Sequence, residues 1–141
     1  MQEKKSCKTL IHSDITQSDF ELPDIQFDLT ISNAVFHMIG DFFHIIKKAT
    51  QHLKTNGHLC FTVIPFDKTD EKHFKKSTRQ GIYYNHKKEI DLYVFRHTIS
   101  YIYYVLKENK LQLISNQVFL AFTDFHEKRD VFFEFYHAIK R

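Results

Sequence analysis

Polar and aromatic side chains follow a strand-like pattern in the segment FDLTISNAVFHMIGDF, residues 27–42. Asn33, Phe36 and His37 lie just beyond the apolar alternation, where the strand is expected to stop. An imidazole can exchange a proton near neutral pH, and a carboxamide can both donate and accept hydrogen bonds. The segment therefore predicts a candidate site at a strand end. The alternatives are a structural histidine and an Asn33 that bonds only to its own backbone.

The 10 histidines of the sequence do not form a metal-ligand pattern. His37, His44 and His52 are seven and eight residues apart, whereas the two histidines of a helical zinc motif are four apart. The two cysteines, Cys7 and Cys60, are far apart and lack a neighbouring cluster of acids. We therefore expect no metal site and two reduced thiols in an intracellular protein.

Composition narrows the class of protein. The chain of 141 residues is long enough for one domain, and its 15 Phe and 7 Tyr supply material for a core. Its 3 Gly and 2 Pro favour long regular elements. The net charge of +3 is too small to indicate a nucleic-acid partner by itself. No apolar run reaches the ~18 residues of a membrane helix and no signal peptide is evident, so we expect a cytoplasmic protein.

A strand, a helix and a second strand follow one another in the first half of the chain. The strand predicted at 27–33 precedes a helix that Asp41 caps. The Asn56-Gly57 pair ends this helix, with Gly57 free to adopt a left-handed conformation. Strand 58–64 is apolar at nearly every position, as in a parallel sheet that is covered on both faces. The pattern predicts one βαβ unit. The apolar stripe of its helix comprises Phe42, Ile45, Ile46, Ala49 and Leu53.

The second half has a less regular start and a β-rich end. Residues 66–96 lack a clear period and carry an excess of positive charge, which predicts a long, partly helical excursion. A helix is expected from about Thr98 to Glu108, with Asn109 as its left-handed stop. Two β runs at 111–122 and 130–140 predict a hairpin. The expected apolar face of the helix comprises Ile99, Ile102, Val105 and Leu106.

In this order, the elements resemble the second half of class I S-adenosylmethionine-dependent methyltransferases of the small-molecule type 11 kind. Residues 13–39, SDITQSDFELPDIQFDLTISNAVFHMI, resemble the stretch from the end of that family's strand 3 through strand 4. Residues 44–63, HIIKKATQHLKTNGHLCFTV, resemble its helix leading into strand 5. FRHTISYIYYVLKENKLQLIS and DVFFEFYHAIKR, residues 95–115 and 130–141, resemble the late helix, strand 6 and strand 7.

The resemblance implies an α/β fold with a truncated Rossmann-like methyltransferase sheet. Its strands would correspond to strands 3, 4, 5, 7 and 6, with flanking helices and a C-terminal antiparallel hairpin, and residues 9–13 would form strand 3. The whole chain, 1–141, would be a single partial domain in which 66–96 is the variable, acceptor-side excursion.

The resemblance also implies a cofactor, S-adenosylmethionine, and the residues that contact it. Asp14 matches the family acid that accepts a hydrogen bond from the adenine amino group, and Ile15 would pack on the adenine ring. Asn33 and Ala34 would approach the methionine part of the cofactor, because ligands of open parallel sheets bind beyond the carboxyl ends of the strands.

The implied activity is methyl transfer to a small-molecule acceptor. Phe36 and His37 would line the reaction pocket, and His37 is the residue that we nominate as a general base. Tyr83 and Tyr84 lie in the excursion, where relatives place acceptor-binding residues.

The sequence departs from the family in lacking the glycine-rich first βαβ unit. Gly40, Gly57 and Gly81 are isolated, so the cofactor site is expected to be incomplete. Loss of the first strands would leave the edge of strand 28–33 unpaired unless residues 9–13 or another chain cover it. We therefore expect a homodimer or a partner chain that supplies the upstream half.

Two other functions stay open at this point. The chain could be a non-catalytic interaction module that uses its methyltransferase-like sheet. The basic and aromatic segment 79–88 could bind nucleic acid by stacking and phosphate contacts, which is the least favoured reading.

Overall fold

A computed structural model describes residues 8–141 and contains seven strands in two sheets, with two α-helices. The strands are β1 (Phe27–Ser32), β2 (Leu53–Val63), β3 (Lys75–Lys76), β4 (Ile82–Lys87), β5 (Leu92–His97), β6 (Leu111–Asp124) and β7 (Arg129–Lys140). The helices are α1 (Phe43–Gln51) and α2 (Ile99–Glu108), and 3₁₀ turns lie at Phe36–Met38 and Lys68–Lys72.

The larger sheet has the strand order β1-β2-β7-β6. β1 runs parallel to β2, whereas β7 is antiparallel to both β2 and β6. A βαβ unit has thus formed around α1, and the chain ends in the expected antiparallel hairpin, with β7 inserted between β2 and β6. This is the order 4-5-7-6 that the family resemblance implies, so the predicted fold class is confirmed.

The apolar stripe of α1 is buried, as its spacing predicts. All five stripe residues are at most 9% exposed, and Asp41 Oδ1 accepts the Phe43 amide proton at 3.1 Å at the start of the helix. The predicted end of the helix is wrong, because α1 stops at Gln51 and β2 already begins at Leu53. Phe27 of β1 pairs with Leu53, which pulls the segment before Gly57 into the sheet.

The residues predicted to adopt left-handed conformations are also corrected. Asn56 has a φ of 65°, and Gly57 is required by space instead, since an added Cβ would lie 2.7 Å from the Lys54 carbonyl oxygen. After α2, Lys110 has the positive φ of 55°, whereas Asn109 caps the helix through its side chain, which donates to the Val105 carbonyl at 2.8 Å.

Helix α2 begins and ends where the sequence predicts. Thr98 Oγ1 accepts the Tyr101 amide proton at 3.4 Å as the N-cap. Ile102, Val105 and Leu106 pack into the core, but Ile99 is 48% exposed, so its predicted place on the apolar face is wrong. Ile99 lies on the exposed side of the first turn, whereas Tyr101 of the same turn is 2% exposed.

The regular elements of the excursion at 66–96 are mostly strands, which corrects its expected helical character. One short 3₁₀ turn is followed by the antiparallel sheet β3-β4-β5. The runs IYYNHK and LYVFRH are rich in β-branched and aromatic residues, and Asp91 makes the tight turn between them with a φ of 49°. The Phe95 ring packs on Gly40, where an added Cβ would lie 2.8 Å from the ring. The small sheet therefore covers the carboxyl ends of β1 and β2.

The predicted strand at 9–13 is wrong, because these residues form no regular structure and are exposed. The chain that follows is held on α1 instead, through a 3.2 Å hydrogen bond between the His44 ring and the Ile15 carbonyl and through the buried Phe20 ring. Within residues 8–141, β1 consequently pairs with β2 alone.

The two faces of the larger sheet differ in how they are covered. α1 and α2 pack on one face, over Leu59, Phe61 and Tyr136. The other face is open, and it exposes Leu29 and Ile31 to 49% and 64%. Half-buried Cys60 lies on this face, whereas Cys7 lies outside the described residues. None of the helices in the described part of the chain has the length and apolarity to cross a bilayer.

Candidate functional site

The Thr62 side chain joins the carboxyl ends of β1 and β2. Its hydroxyl accepts the Ala34 amide proton at 2.8 Å and donates to Asn33 Oδ1 at 3.1 Å. Ala34 has a φ of 57°, a left-handed conformation that costs a residue with a Cβ roughly 1–2 kcal/mol. Because Thr62 is 4% exposed, the buried hydroxyl fixes this strained turn in place.

A cavity of about 290 Å³ opens beside this turn on the uncovered face of the sheet. Its lining includes Asn33 and Ser32 at the end of β1, and Cys60 and Thr62 of β2. The Ala34 carbonyl accepts no hydrogen bond from any residue that the structure describes. The end of β1 thus presents an amide side chain and a free carbonyl acceptor next to open space.

Asp14 and Ile15 lie in an exposed loop on the α1 side of the molecule. Asp14 Oδ1 accepts from the Thr16 amide at 2.9 Å and from the Thr16 hydroxyl at 2.6 Å, and Gln17 donates to Oδ2 at 3.3 Å. These hydrogen bonds, chiefly that of the Thr16 hydroxyl, lower the pKa of Asp14, so the carboxylate is ionised at neutral pH. Ile15 is half-buried against the core. Within residues 8–141, no hydrogen bond links this loop to Asn33.

Phe36, which the sequence predicts to line the reaction pocket, is buried in the core of this structure. Its ring is 1% exposed, stacks on Phe42 at 4.0 Å between ring centroids and meets Phe61 edge-on at 5.8 Å. An apolar ring directly after a strand fits both a pocket wall and a core anchor, and here it anchors the 3₁₀ turn.

His37 follows on the same turn and faces a different cavity. Its ring lies 5.4 Å from the Phe133 ring, and it lines a space of about 160 Å³ together with Ile64 and Arg96. Burial, and to a smaller degree the positive charge of Arg96, lowers the pKa of His37. The imidazole is therefore neutral at pH 7 and able to accept a proton.

Tyr83 and Tyr84 point to different surroundings. The Tyr83 ring stacks on Phe66 at 3.7 Å between centroids, so one of its faces is occupied. Tyr84 lines a cavity of about 340 Å³ with Tyr93 and His86. Both tyrosines are half-buried, and Tyr84 is the one placed at this cavity.

His97 connects two segments of the candidate site, and the sequence did not predict this role. Its Nε2 donates to the Gly40 carbonyl at 2.6 Å, and its backbone amide donates to Ile64 at 3.1 Å. It is 1% exposed, and burial lowers its pKa to about 4. The neutral ring connects β5 to the turn that carries His37. A histidine at the end of an alternating strand was the only sequence signal.

Thr62 and Arg96 were missed for a similar reason. Both are polar residues within β-rich runs, and both are buried, at 4% and 6% exposure. A polar residue at a buried strand position is a usable signal, because it must find a partner.

The residues at the end of β1 fit part of S-adenosylmethionine. The free Ala34 carbonyl and the Asn33 side chain offer polar contacts of the kind that an ammonium or carboxylate group needs. The sequence lacks a glycine-rich loop that would hold the rest of S-adenosylmethionine, because its 3 glycines are isolated. Among the described residues, no group of three His, Cys, Asp or Glu side chains is arranged to hold a metal ion.

The comparisons with known proteins all find methyltransferases. A family model described as a methyltransferase domain matches residues 1–61. The malonyl-[acyl-carrier protein] O-methyltransferase of Calditerrivibrio nitroreducens is 37% identical over 73 residues, which is 50% of this chain and 29% of that protein. The chain thus matches under a third of the length of this curated relative.

Solved structures show the same fold. A S-adenosylmethionine-dependent methyltransferase of Methanosarcina mazei superimposes with a TM-score of 0.68 at 16% identity, over 91% of this chain and 65% of that one. The 1,6-didemethyltoxoflavin-N1-methyltransferase of Burkholderia thailandensis, solved with its acceptor and S-adenosylhomocysteine, gives 0.60 at 14% identity, over 87% and 47%.

Proposed function

Since the chain belongs to the class I S-adenosylmethionine-dependent methyltransferase family, we propose that it supplies the acceptor-side half of a methyl-transfer site. The substrate is a small molecule, and the cofactor is S-adenosylmethionine, which is the cofactor of this family. The observation that carries the proposal is the turn at Asn33 and Ala34, which Thr62 fixes through two hydrogen bonds at 2.8 Å and 3.1 Å.

Cofactor contact is assigned to two parts of the chain. Asn33 and the Ala34 carbonyl would orient the amino-acid end of the cofactor at the carboxyl end of β1. Asp14, whose carboxylate is ionised, would accept from the adenine amino group, with Ile15 beside it. These two contacts would hold opposite ends of one extended ligand.

Methyl transfer from S-adenosylmethionine needs few functional groups from the protein. A bound sulfonium methyl is already electrophilic, so the chain has to align the acceptor with it and, for some acceptors, remove a proton. His37 is assigned the second task because its ring is neutral at pH 7 and borders a cavity. Tyr84 is assigned acceptor contact at the rim of the excursion.

The acceptor is proposed only as a class. The Calditerrivibrio relative is named for O-methylation of an acyl-carrier-bound malonyl group, and the Burkholderia protein for N-methylation of a heterocycle. Both oxygen and nitrogen acceptors therefore belong in a screen, and the excursion between β2 and α2 would choose between them.

A second polypeptide is part of the proposal. β1 exposes Leu29 and Ile31 and, within the described residues, pairs with β2 alone. A second copy of the chain or a chain with the glycine-rich half would cover this edge and complete the cofactor site. If cofactor never binds, the same uncovered edge favours the alternative function, a non-catalytic interaction module.

Calorimetric titration of the chain with S-adenosylhomocysteine tests cofactor binding. We expect saturable heat that Asp14→Ala weakens and that Asp19→Ala, a change of another exposed acid in the same loop, leaves unchanged. Absence of heat up to millimolar ligand, for the chain alone and with a glycine-loop partner, would contradict the proposal. Equal weakening by both variants would contradict the role of Asp14.

A further inference from the structure

Arg96 of β5 is a buried cation that is incompletely hydrogen-bonded in the part of the chain that the structure describes. The residue is 6% exposed, and its Nη1 has no hydrogen-bond partner among residues 8–141. A guanidinium carries five N–H donors, and a buried donor without a partner costs about 1–3 kcal/mol. An unpaired buried donor is unusual in a folded protein, and an acceptor group of a bound ligand would pair it.

The groups that contact the Arg96 side chain leave its charge poorly paired. The guanidinium lies over the Phe74 ring, 4.8 Å from its centroid. The Asp70 carboxylate is its ion-pair partner, but Nε and Oδ2 are 3.8 Å apart, too far for a hydrogen bond. That same oxygen already accepts the Asp67 amide proton at 2.9 Å. Asp70 is therefore committed to capping the 3₁₀ turn.

Two cavities of about 440 Å³ and 160 Å³ border Arg96. Both also contact Ile64 and Val131, and the smaller one is lined further by Phe74, Val94 and Phe122. His37 lies at the same smaller cavity. The larger cavity is also lined by Asp67, Asp70 and Asp130, whereas the smaller one has mostly apolar walls, one buried cation and the histidine assigned as the base.

Other charges at the rim are exposed or engaged with one another. Glu127 pairs with Arg129 at 2.9 Å and with Lys87 at 3.7 Å. The Asp124 carboxylate accepts the amide protons of His126 and Glu127 at 3.0 Å, and Asp67 is exposed on the surface. Water screens these rim charges far more than it screens Arg96. A ligand in the smaller cavity would meet Arg96 as its most buried charge.

We propose that Arg96 binds a carboxylate of the methyl acceptor, with the apolar part of that molecule held against Ile64, Val94 and Val131. A planar guanidinium matches a carboxylate in shape, and the single buried charge matches a monoanion. This inference rests on the proposed function, because it names the class of acceptor for the same site. His37 lies beside the bound acceptor and carries no charge that competes for the carboxylate.

Binding of two probes of the same shape tests the inference without any cofactor. Hexanoate and hexanamide differ in charge, so we expect the chain to bind hexanoate at least about tenfold more tightly. Ligand-detected NMR titration measures both affinities on the wild-type chain. Equal affinity for the two probes, or no saturable binding of hexanoate, would overturn the inference.

Variants then assign the effect to Arg96. Arg96→Gln should lower hexanoate affinity about tenfold or more, while Arg96→Lys should retain part of it. Arg79→Gln is the matched control, since Arg79 also stacks on an aromatic ring, at 4.6 Å from the Tyr104 centroid, but borders a different cavity. Unchanged hexanoate affinity in Arg96→Gln, with denaturant unfolding confirming a folded chain, would overturn the assignment.

The result is separable from the cofactor question. Hexanoate selectivity without S-adenosylhomocysteine binding would leave the carboxylate site standing and remove the methyl-transfer proposal. Binding of S-adenosylhomocysteine without hexanoate selectivity would do the reverse.

Discussion

The Thr62 hydroxyl lies 2.8 Å from the Ala34 amide nitrogen, across 28 residues of sequence, and fixes the turn that ends β1. The same hydroxyl donates to Asn33 Oδ1 at 3.1 Å. One buried side chain of β2 thus determines where the candidate cofactor-binding atoms of β1 lie. Hydrogen bonds to Thr62 of β2 therefore hold Asn33 and Ala34 after the end of β1, in addition to their own backbone.

Replacement of Thr62 by valine should destabilise the fold and disturb the site. The change keeps the shape of the side chain but leaves the Ala34 amide without its acceptor, which costs about 1–3 kcal/mol in the free energy of unfolding. Urea denaturation measures the loss. Thr62→Ser retains the hydroxyl and is the control. Equal stability of the valine and serine variants would show that the hydroxyl does not hold the turn.

Stability should fall as the pH drops from 7 to 5, in part because of His97. Its pKa is about 4 in the folded state and 6.5 in the unfolded state, so below pH 6.5 only the unfolded state takes up the proton. The stability that His97 contributes is present above pH 6.5 and is lost as the pH falls toward 4. The expected loss between pH 7 and pH 5 is about 2 kcal/mol.

Comparison with His97→Gln isolates this effect. Glutamine can donate to the Gly40 carbonyl but does not titrate, so its unfolding free energy should vary less between pH 7 and pH 5. Urea denaturation at both pH values gives the two differences. The same pH dependence in both proteins would rule out His97 as the titrating group.

Removal of the Tyr101 hydroxyl should loosen the start of α1. This hydroxyl donates to Asp41 Oδ1 at 2.7 Å and accepts the Phe42 amide proton at 3.0 Å. Burial raises the pKa of Tyr101, so the hydroxyl keeps its proton at all accessible pH values. Tyr101→Phe should lower the free energy of unfolding by about 1–3 kcal/mol in a thermal or urea experiment. Tyr103→Phe, on the exposed side of α2, should have little effect, and a similar loss in both variants would contradict the assignment.

The uncovered edge of β1 should drive self-association. Ile31 is 64% exposed on this edge strand, so Ile31→Lys should shift sedimentation toward the monomer. Ile99→Lys changes another exposed isoleucine, on α2, and should leave the distribution as it is. A wild-type chain that stays monomeric at all concentrations would exclude the homodimer and leave only a different chain as the partner for this edge.

Local periodicity was enough to predict much of the fold. The stripe from Phe42 to Leu53 is regular, so α1 and its buried face were predictable, and the two long apolar runs predicted the hairpin β6-β7. Boundaries failed where tertiary pairing overrides local signals, as at Leu53, which joins the sheet because Phe27 pairs with it. The segment 9–13 has strand character, but a strand needs a neighbour, and none of the described residues provides one.

The candidate site was predictable in position but only partly in detail. Asn33, Ala34 and His37 follow a strand, and a strand end is a recognisable place. Thr62 and Arg96 act through contacts with residues distant in sequence, so no local pattern marks them. An aromatic ring at a strand end can line a pocket or pack into the core. Local sequence does not decide between these two surroundings for Phe36.

The central claim is that the end of β1 contacts the cofactor, and amide NMR tests it directly. Titration of the isotope-labelled chain with S-adenosylhomocysteine should shift the backbone signals of Asn33, Ala34 and Thr62, with Ile99 on the far surface of α2 unaffected. Saturable shifts confined to the end of β1 and the Asp14 loop are the predicted result. No shift at Asn33 and Ala34 at saturating ligand, or shifts only elsewhere, would contradict the account.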